Sequence, residues 1–186
     1  MNRPRSLAIA LTFLSLTILA GCATRGQHAG GYVRGDGPGE HPPANVASLP
    51  DAVPRIETPL SSTSKPYQVF GKEYIPTKPN RPYTKSGLAT WYGKKFHGQR
   101  TASGERYDMY AMTAAHPTLP IPSYARVTRL STGKSIVVRI NDRGPFHSSR
   151  IIDLSYAAAS KLGLTGSGSA KVTVQSITNR DIIDGN

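Results

Sequence analysis

Between Lys85 and Thr178 the sequence holds four carboxylates, Glu105, Asp108, Asp142 and Asp153, and acid–base chemistry by a carboxyl must draw on them. Asp142 is the strongest candidate. It ends a predicted strand between Asn141 and Arg143 and precedes Gly144-Pro145-Phe146. A polar strand end locked by Gly-Pro is a rigid mount for a reactive carboxyl; the competing reading is a turn aspartate paired with Arg143. Glu105 follows Ser103-Gly104 in a loop and suits either solvent exposure or a site. Asp153 lies just ahead of Ser155 at a strand-to-helix junction, where an aspartate commonly bonds backbone amides. Asp108 reads the same way, as a local turn residue. His97, His116 and His147 are not spaced as HxxxH or HxH pairs, so no zinc site is expected. His116 precedes Pro117, which holds its backbone extended, and it is either a satisfied surface residue or a partner to an active carboxylate. No GxSxG, phosphate-loop or dinucleotide fingerprint is present, so no cofactor is expected. The only cysteine, Cys22, lies far from these residues.

The elements that must position them are short. Strands are predicted over 88–92, 110–114, 124–130, 135–141, 151–154 and 171–177, with a hairpin turn at Ser131-Thr132-Gly133-Lys134. In the fourth, Ile136, Val138 and Ile140 fall on one face and Val137, Arg139 and Asn141 on the other. Ser155 is the predicted N-cap of a helix over 156–162 that Gly163 stops. About ninety residues forming six short strands and one short helix imply a small β-barrel, since closure removes exposed edges without a large core.

Ahead of the barrel the composition changes. Arg3 and Arg5 precede an apolar run over 7–19 that ends in Leu19-Ala20-Gly21-Cys22. The run is short and closes on small residues, which reads as a cleaved export signal over 1–21 rather than a membrane span. Residues 22–66 are rich in Gly, Pro, Ser and Ala, with Tyr32 their only Phe, Tyr or Trp, and are expected to form a disordered tether. Residues 67–84 carry more aromatics and are expected to fold back as an arm on a domain over 85–178, with 179–186 as a tail. Formal charge is +12, from 23 Lys and Arg against 11 Asp and Glu. The cations are scattered rather than run together, and an exported chain meets no nucleic acid, so the charge points either to anionic envelope polymers and lipid surfaces as partners or to a role in solubility alone.

The segments GLATWYGKKFHGQRTASGERYDMYAMTAAHPTLPIPSYARV, VVRINDRGPFHSSRIIDLSYAAASKLG and PYQVFGKEYIP, together with the lipobox LAGC, closely resemble the rare-lipoprotein-A family over about 66–177. The resemblance implies a six-stranded double-psi β-barrel and an endolytic lytic transglycosylase that cuts peptidoglycan glycan strands, with a preference for strands stripped of stem peptides. It implies a diacylglycerol anchor on Cys22, and Ala23 in place of Asp points to the outer membrane. It carries functional roles to Glu105 of SGERYD, His116 of TAAHPTLP and Asp142 of NDRGPF. On that reading Asp142 is acid and then base, Glu105 assists it, and His116 positions one of them. Trp91 and Tyr92 are candidates to stack on sugars or to belong to the core; Arg139, Asn141 and Arg143 are candidates to hold the glycan. Division or cell-wall amidase proteins are the expected partners. Many family members carry a C-terminal glycan-binding repeat; this sequence stops nine residues after Ile177, so septal targeting by that route is not expected. The alternative is a non-catalytic glycan-binding or structural envelope lipoprotein.

Overall fold

The computed structural model describes residues 36–147 and 149–185. The expected signal, Cys22 and the first part of the expected tether lie outside the described residues.

A small hairpin comes first, β1 (Tyr67–Val69) and β2 (Lys72–Tyr74). Then come β3 (Thr84–Tyr92), β4 (Thr113–Ala115), β5 (Ser123–Arg129), β6 (Ser135–Asp142), β7 (Arg150–Ser155), α1 (Tyr156–Leu162), β8 (Ala170–Ile177) and α2 (Asn179–Ile183). The last six strands close into a barrel in the order β3-β7-β4-β6-β5-β8. The pairs β3–β7 and β4–β6 are parallel and the other four are antiparallel. Exchanging β3 with β6, β4 with β7 and β5 with β8 maps this ring onto itself, which is the pseudo-twofold pairing of a double-psi barrel. Closure leaves none of the six strands with an open edge.

Alternation decides what faces inward. Ile136, Val138 and Ile140 of β6 are fully buried, and Ala89 and Trp91 of β3 join them in one core. The opposite face of β6 is not left to water: Val137 and Asn141 are buried as well. Asn141 lies under the loop over 101–105, whose Ser103 N–H donates to its carbonyl at 3.0 Å, and Val137 lies under the segment over 36–66. Ala52 N–H donates to Val137 O at 3.1 Å, Val137 N–H donates to the Asp51 carboxylate at 3.0 Å, and Leu60 N–H donates to Ile121 O at 2.8 Å. Val46 belongs to the core cluster, with Leu49 and Ala52 packed on it. The expectation of a free tether reaching residue 66 is therefore corrected for 36–66. This stretch has too little apolar surface to fold alone, and it orders by borrowing backbone partners and core contacts from β6, from α1 and from Ile121 just ahead of β5.

Local chemistry sets the remaining boundaries. Ser155 Oγ accepts from Ala158 N–H at 3.1 Å as N-cap of α1, and Gly163, at φ 78°, closes its C-terminus. The strand expected over 110–114 shrinks to β4, because Asp108 turns the chain: its carboxylate accepts from Tyr110 N–H at 2.9 Å and its carbonyl from Ala111 N–H at 3.1 Å. The expected tail contains a second helix, α2, started by a reciprocal Thr178–Asp181 capping box. The β1–β2 hairpin stacks Tyr67 on Tyr74 at 5.3 Å and sets both rings edge-on to Phe146.

Candidate active site

The C-terminal ends of β3, β4 and β6 open together into a cleft of about 180 Å³, with β7 along one side. Its walls are apolar, from Tyr92, Phe96, Pro145 and Phe146, and two carboxyls line it, Asp142 and Asp153. Asp142 ends β6 as expected, but it is not the turn aspartate of an Arg143 ion pair. Its Oδ1 accepts from the N–H groups of Ala102 and Arg143, each at 2.8 Å. Burial pushes its pKa up, against the opposing pull of those two N–H groups and the Arg143 charge. A carboxyl at this site holds a proton at a higher pH than an exposed aspartate does. The following turn needs Gly144, whose φ of 130° is open only to glycine without strain.

Asp153 is the residue that sequence reasoning placed elsewhere. It does not cap the α1 backbone. The parallel pairing of β3 with β7 sets Thr90 opposite Asp153, and Thr90 Oγ1 donates to its Oδ1 at 2.6 Å, with Arg150 Nη1 at 3.5 Å. Burial raises its pKa too, opposed by Arg150 and the Thr90 hydrogen bond. The signal for it lay in a strand partner about sixty residues away, not in the sequence around it.

Glu105 is not in this cleft. Its side chain is 43% exposed and is held by Arg139 Nη1, at 2.7 and 2.9 Å to its two oxygens, and by Asn141 Nδ2 at 3.1 Å. The other edge of the Arg139 guanidinium meets Glu57: Nε and Nη2 donate to its two oxygens, each at 2.8 Å. The Arg139 contact, foremost, and the Tyr124 hydroxyl hold Glu57 down at about 2 despite burial. Arg139 and Asn141 are thus engaged with protein carboxylates rather than presented to a glycan.

Residues 84–174 match a family described as lytic transglycolase. The barrel belongs to the lytic transglycolase family. Its relatives include proteins named endolytic peptidoglycan transglycosylase RlpA. That of Vibrio cholerae is 51% identical over 178 residues, covering 96% of this chain and 65% of its own. That of Pseudomonas aeruginosa is 47% identical over 175 residues, covering 88% and 51%, and that of Neisseria meningitidis serogroup A is 55% identical over 127 residues, covering 68% and 53%. The chain therefore spans between about half and about two-thirds of the length of these relatives.

Within this lytic transglycolase barrel the other expected site residues sort by what they touch. His116 is wholly buried, and its ring does not reach a carboxylate. Its Nδ1 accepts from the N–H groups of Thr118 and Leu119 at 3.1 and 2.9 Å, so its proton sits on Nε2, which faces the Tyr83 hydroxyl at 3.1 Å. Burial, with help from the charges of Arg143 and Lys85, pushes its pKa down to about 3, so the ring is neutral. It bears on Asp142 through the backbone: His116 N–H donates to Asp142 O at 3.1 Å. Arg143 is also committed, donating to the carbonyls of Thr63, His116 and Leu119 at 2.7–3.0 Å. It ties the loop after β4 to the covering segment and is not a free cation for a glycan carboxylate. Trp91, 1% exposed, is core and is corrected as a sugar platform. Tyr92 lines the cleft, yet its ring is stacked on Tyr107 at 4.2 Å and nearly buried. Lys94 N–H bonds the Gly37 carbonyl at 2.9 Å, and that carbonyl lies so near Gly93 that an added Cβ would stand 2.2 Å from it. Among the described residues, no cluster of three or more His, Cys, Asp or Glu is arranged to hold a metal.

Proposed function

We propose that this protein is an endolytic peptidoglycan lytic transglycosylase with Asp142 as its acid–base group. The observation that carries the reading is a half-buried carboxyl with raised pKa at the lip of an apolar-walled cleft, fixed by two backbone N–H groups and accompanied by Asp153. The family and the names of the relatives give the same reaction class.

A glycosidic oxygen must be protonated as it leaves, and the sugar C1 then develops oxocarbenium character. Protonated Asp142 donates its proton to that oxygen while the C1–O bond breaks. The resulting carboxylate accepts the proton of the muramic acid 6-hydroxyl as O6 bonds C1. The products are a 4-hydroxyl end and a 1,6-anhydro-muramic acid end, and the acid is regenerated with no water consumed. One carboxyl suffices for both transfers. Asp153, held by Thr90 and Arg150, is the second carboxyl beside the developing positive charge. Glycan strands without stem peptides, as cell-wall amidases leave them, are the proposed substrate. Cys22, bearing diacylglycerol, is the proposed anchor to the periplasmic face of the outer membrane.

Asp142→Asn keeps the two backbone hydrogen bonds but carries no transferable proton, and glycan cutting by it should fall by about 10²–10⁴-fold with the thermal midpoint nearly unchanged. Asp153→Asn should reduce turnover less. Equal activity of Asp142→Asn and wild type on amidase-treated sacculi would remove Asp142 from the mechanism.

A further inference from the structure

Glu57 lies outside the family-matched residues 84–174, in a Pro- and Ser-rich stretch that sequence composition marks as tether. The structure gives it a built position instead. Both of its oxygens accept from the Nε–Nη2 edge of Arg139, each at 2.8 Å, and the Tyr124 hydroxyl donates at 2.6 Å. Paired N–H donation of this kind fixes the plane of a guanidinium as well as its place. With that edge fixed, Nη1 is directed at Glu105.

Glu105 in turn closes a tight loop. Thr101 N–H donates to Glu105 O at 2.8 Å, Gly104 N–H to Thr101 O at 2.9 Å, and Ser103 N–H to Asn141 O at 3.0 Å. The residue inside that loop, Ala102, donates its N–H to Asp142 at 2.8 Å. A chain of contacts therefore runs from the segment over 36–66, through one arginine and one loop, to the carboxyl in the cleft. The segment is not a removable cover. Val46 sits in the core, Lys161 Nζ contacts both the Asp51 carboxylate and the Leu49 carbonyl at 2.6 Å, and Arg143 donates to Thr63 O at 2.9 Å.

We propose that Glu57 is a positioning residue for the reaction: through Arg139 and Glu105 it holds the loop that delivers the Ala102 N–H to Asp142. The proposal rests on Asp142 being the acid. Without the Glu57 carboxylate, Arg139 keeps its long stem but loses the fork that orients it, and Glu105 then draws the guanidinium toward solvent. The loop loosens and the Ala102 hydrogen bond weakens. Loss of an N–H donated to a carboxylate favours its protonated form. The other titratable or charged groups around Asp142 are Tyr92 on β3, Tyr107 in the loop after it, His116 just past β4, whose backbone N–H donates to the Asp142 carbonyl, Asp153 on β7 and Arg143 beside it; the Glu57 carboxylate is met instead by Arg139, Tyr124 and Arg55.

The test is Glu57→Gln in the full chain, with Glu57→Asp and Arg139→Lys beside it. Two readouts are taken: the Asp142 carboxyl titrated by carbon-13 NMR, and cutting of denuded glycan against pH. In Glu57→Gln the Asp142 titration should move upward. The alkaline limb of kcat should move with it, kcat should fall about 10- to 100-fold, as small misplacements near chemistry do, and KM should hardly change. Glu57→Asp should recover part of kcat, and adding Glu57→Gln to Arg139→Lys should cost little more than Arg139→Lys alone. An unmoved titration overturns the proposal, and so does a fall in activity that follows only a lower thermal midpoint. If wild type does not cut glycan, the transglycosylase reading fails, while the titration still decides whether Glu57 positions Asp142.

Discussion

His116 carries a stability consequence whose size follows from its surroundings. In the folded chain its ring is buried, its Nδ1 is occupied by two backbone N–H donors, and its pKa is held down at about 3. In the unfolded chain it titrates at the ordinary 6.5. Because the folded pKa is the lower, the unfolded state binds the proton first. The contribution of the neutral ring is complete above pH 6.5 and is lost as pH falls toward 3. At pH 5 the folded ring is still unprotonated, so the loss is set by the unfolded value: about 1.5 pH units at 1.36 kcal/mol each, or about 2 kcal/mol. Asp142 and Asp153, whose pKa values burial raises, act in the opposite sense. The variant His116→Gln isolates the histidine term, since glutamine can accept a backbone N–H but cannot take up a proton. Urea unfolding of both proteins at pH 7 and pH 5 gives the comparison. Wild type should lose about 2 kcal/mol more than His116→Gln between the two pH values. Equal losses would mean that the ring is not held neutral by burial, and the assignment of His116 as a buried loop anchor would fail.

Two further outcomes follow from the same structure. Trp91→Ala should cost about 3–5 kcal/mol as a core truncation and lower the thermal midpoint by roughly 10 °C or more, as scanned by circular dichroism; a raised KM with an unchanged midpoint would restore the ring to the substrate. Cys22→Ser should abolish fatty-acid labelling in cells, since no other thiol exists in the chain, and label persisting in the variant would contradict lipidation there.

The parts of the fold that were legible in the sequence are those whose cause is local. The strand over 135–141 with its core face of Ile136, Val138 and Ile140, the Ser155 cap, the Gly163 stop and the Gly133 turn each depend on residues within a few positions of one another, and each recurs in the structure. Asp142 was legible for the same reason, as a polar strand end followed by Gly-Pro. Asp153 was not, because its place in the cleft is fixed by the parallel pairing of β7 with β3, which no local pattern encodes. Trp91 shows the converse: an aromatic at a strand end fits a sugar platform or a core equally well until the barrel closes over it. The ordering of 36–66 was hidden by composition. A stretch poor in apolar residues reads as free chain, yet a few groups, Val46, Asp51 and Glu57 among them, meet partners already arranged on β6 and α1. Arg139 and Arg143 looked like cations awaiting a ligand for the matching reason, that their carboxylate and carbonyl partners lie across the fold.

The central claim is that the muramic acid 6-hydroxyl, not water, closes on the sugar cation, with Asp142 moving both protons. Mass spectrometry of the fragments released from amidase-treated sacculi by the full chain tests it most directly. A transglycosylase should leave ends lighter by one water than reducing ends, and Asp142→Asn should leave almost none of either. Reducing ends as the main product would make the protein a hydrolase, and the account of a single carboxyl serving both proton transfers would be contradicted.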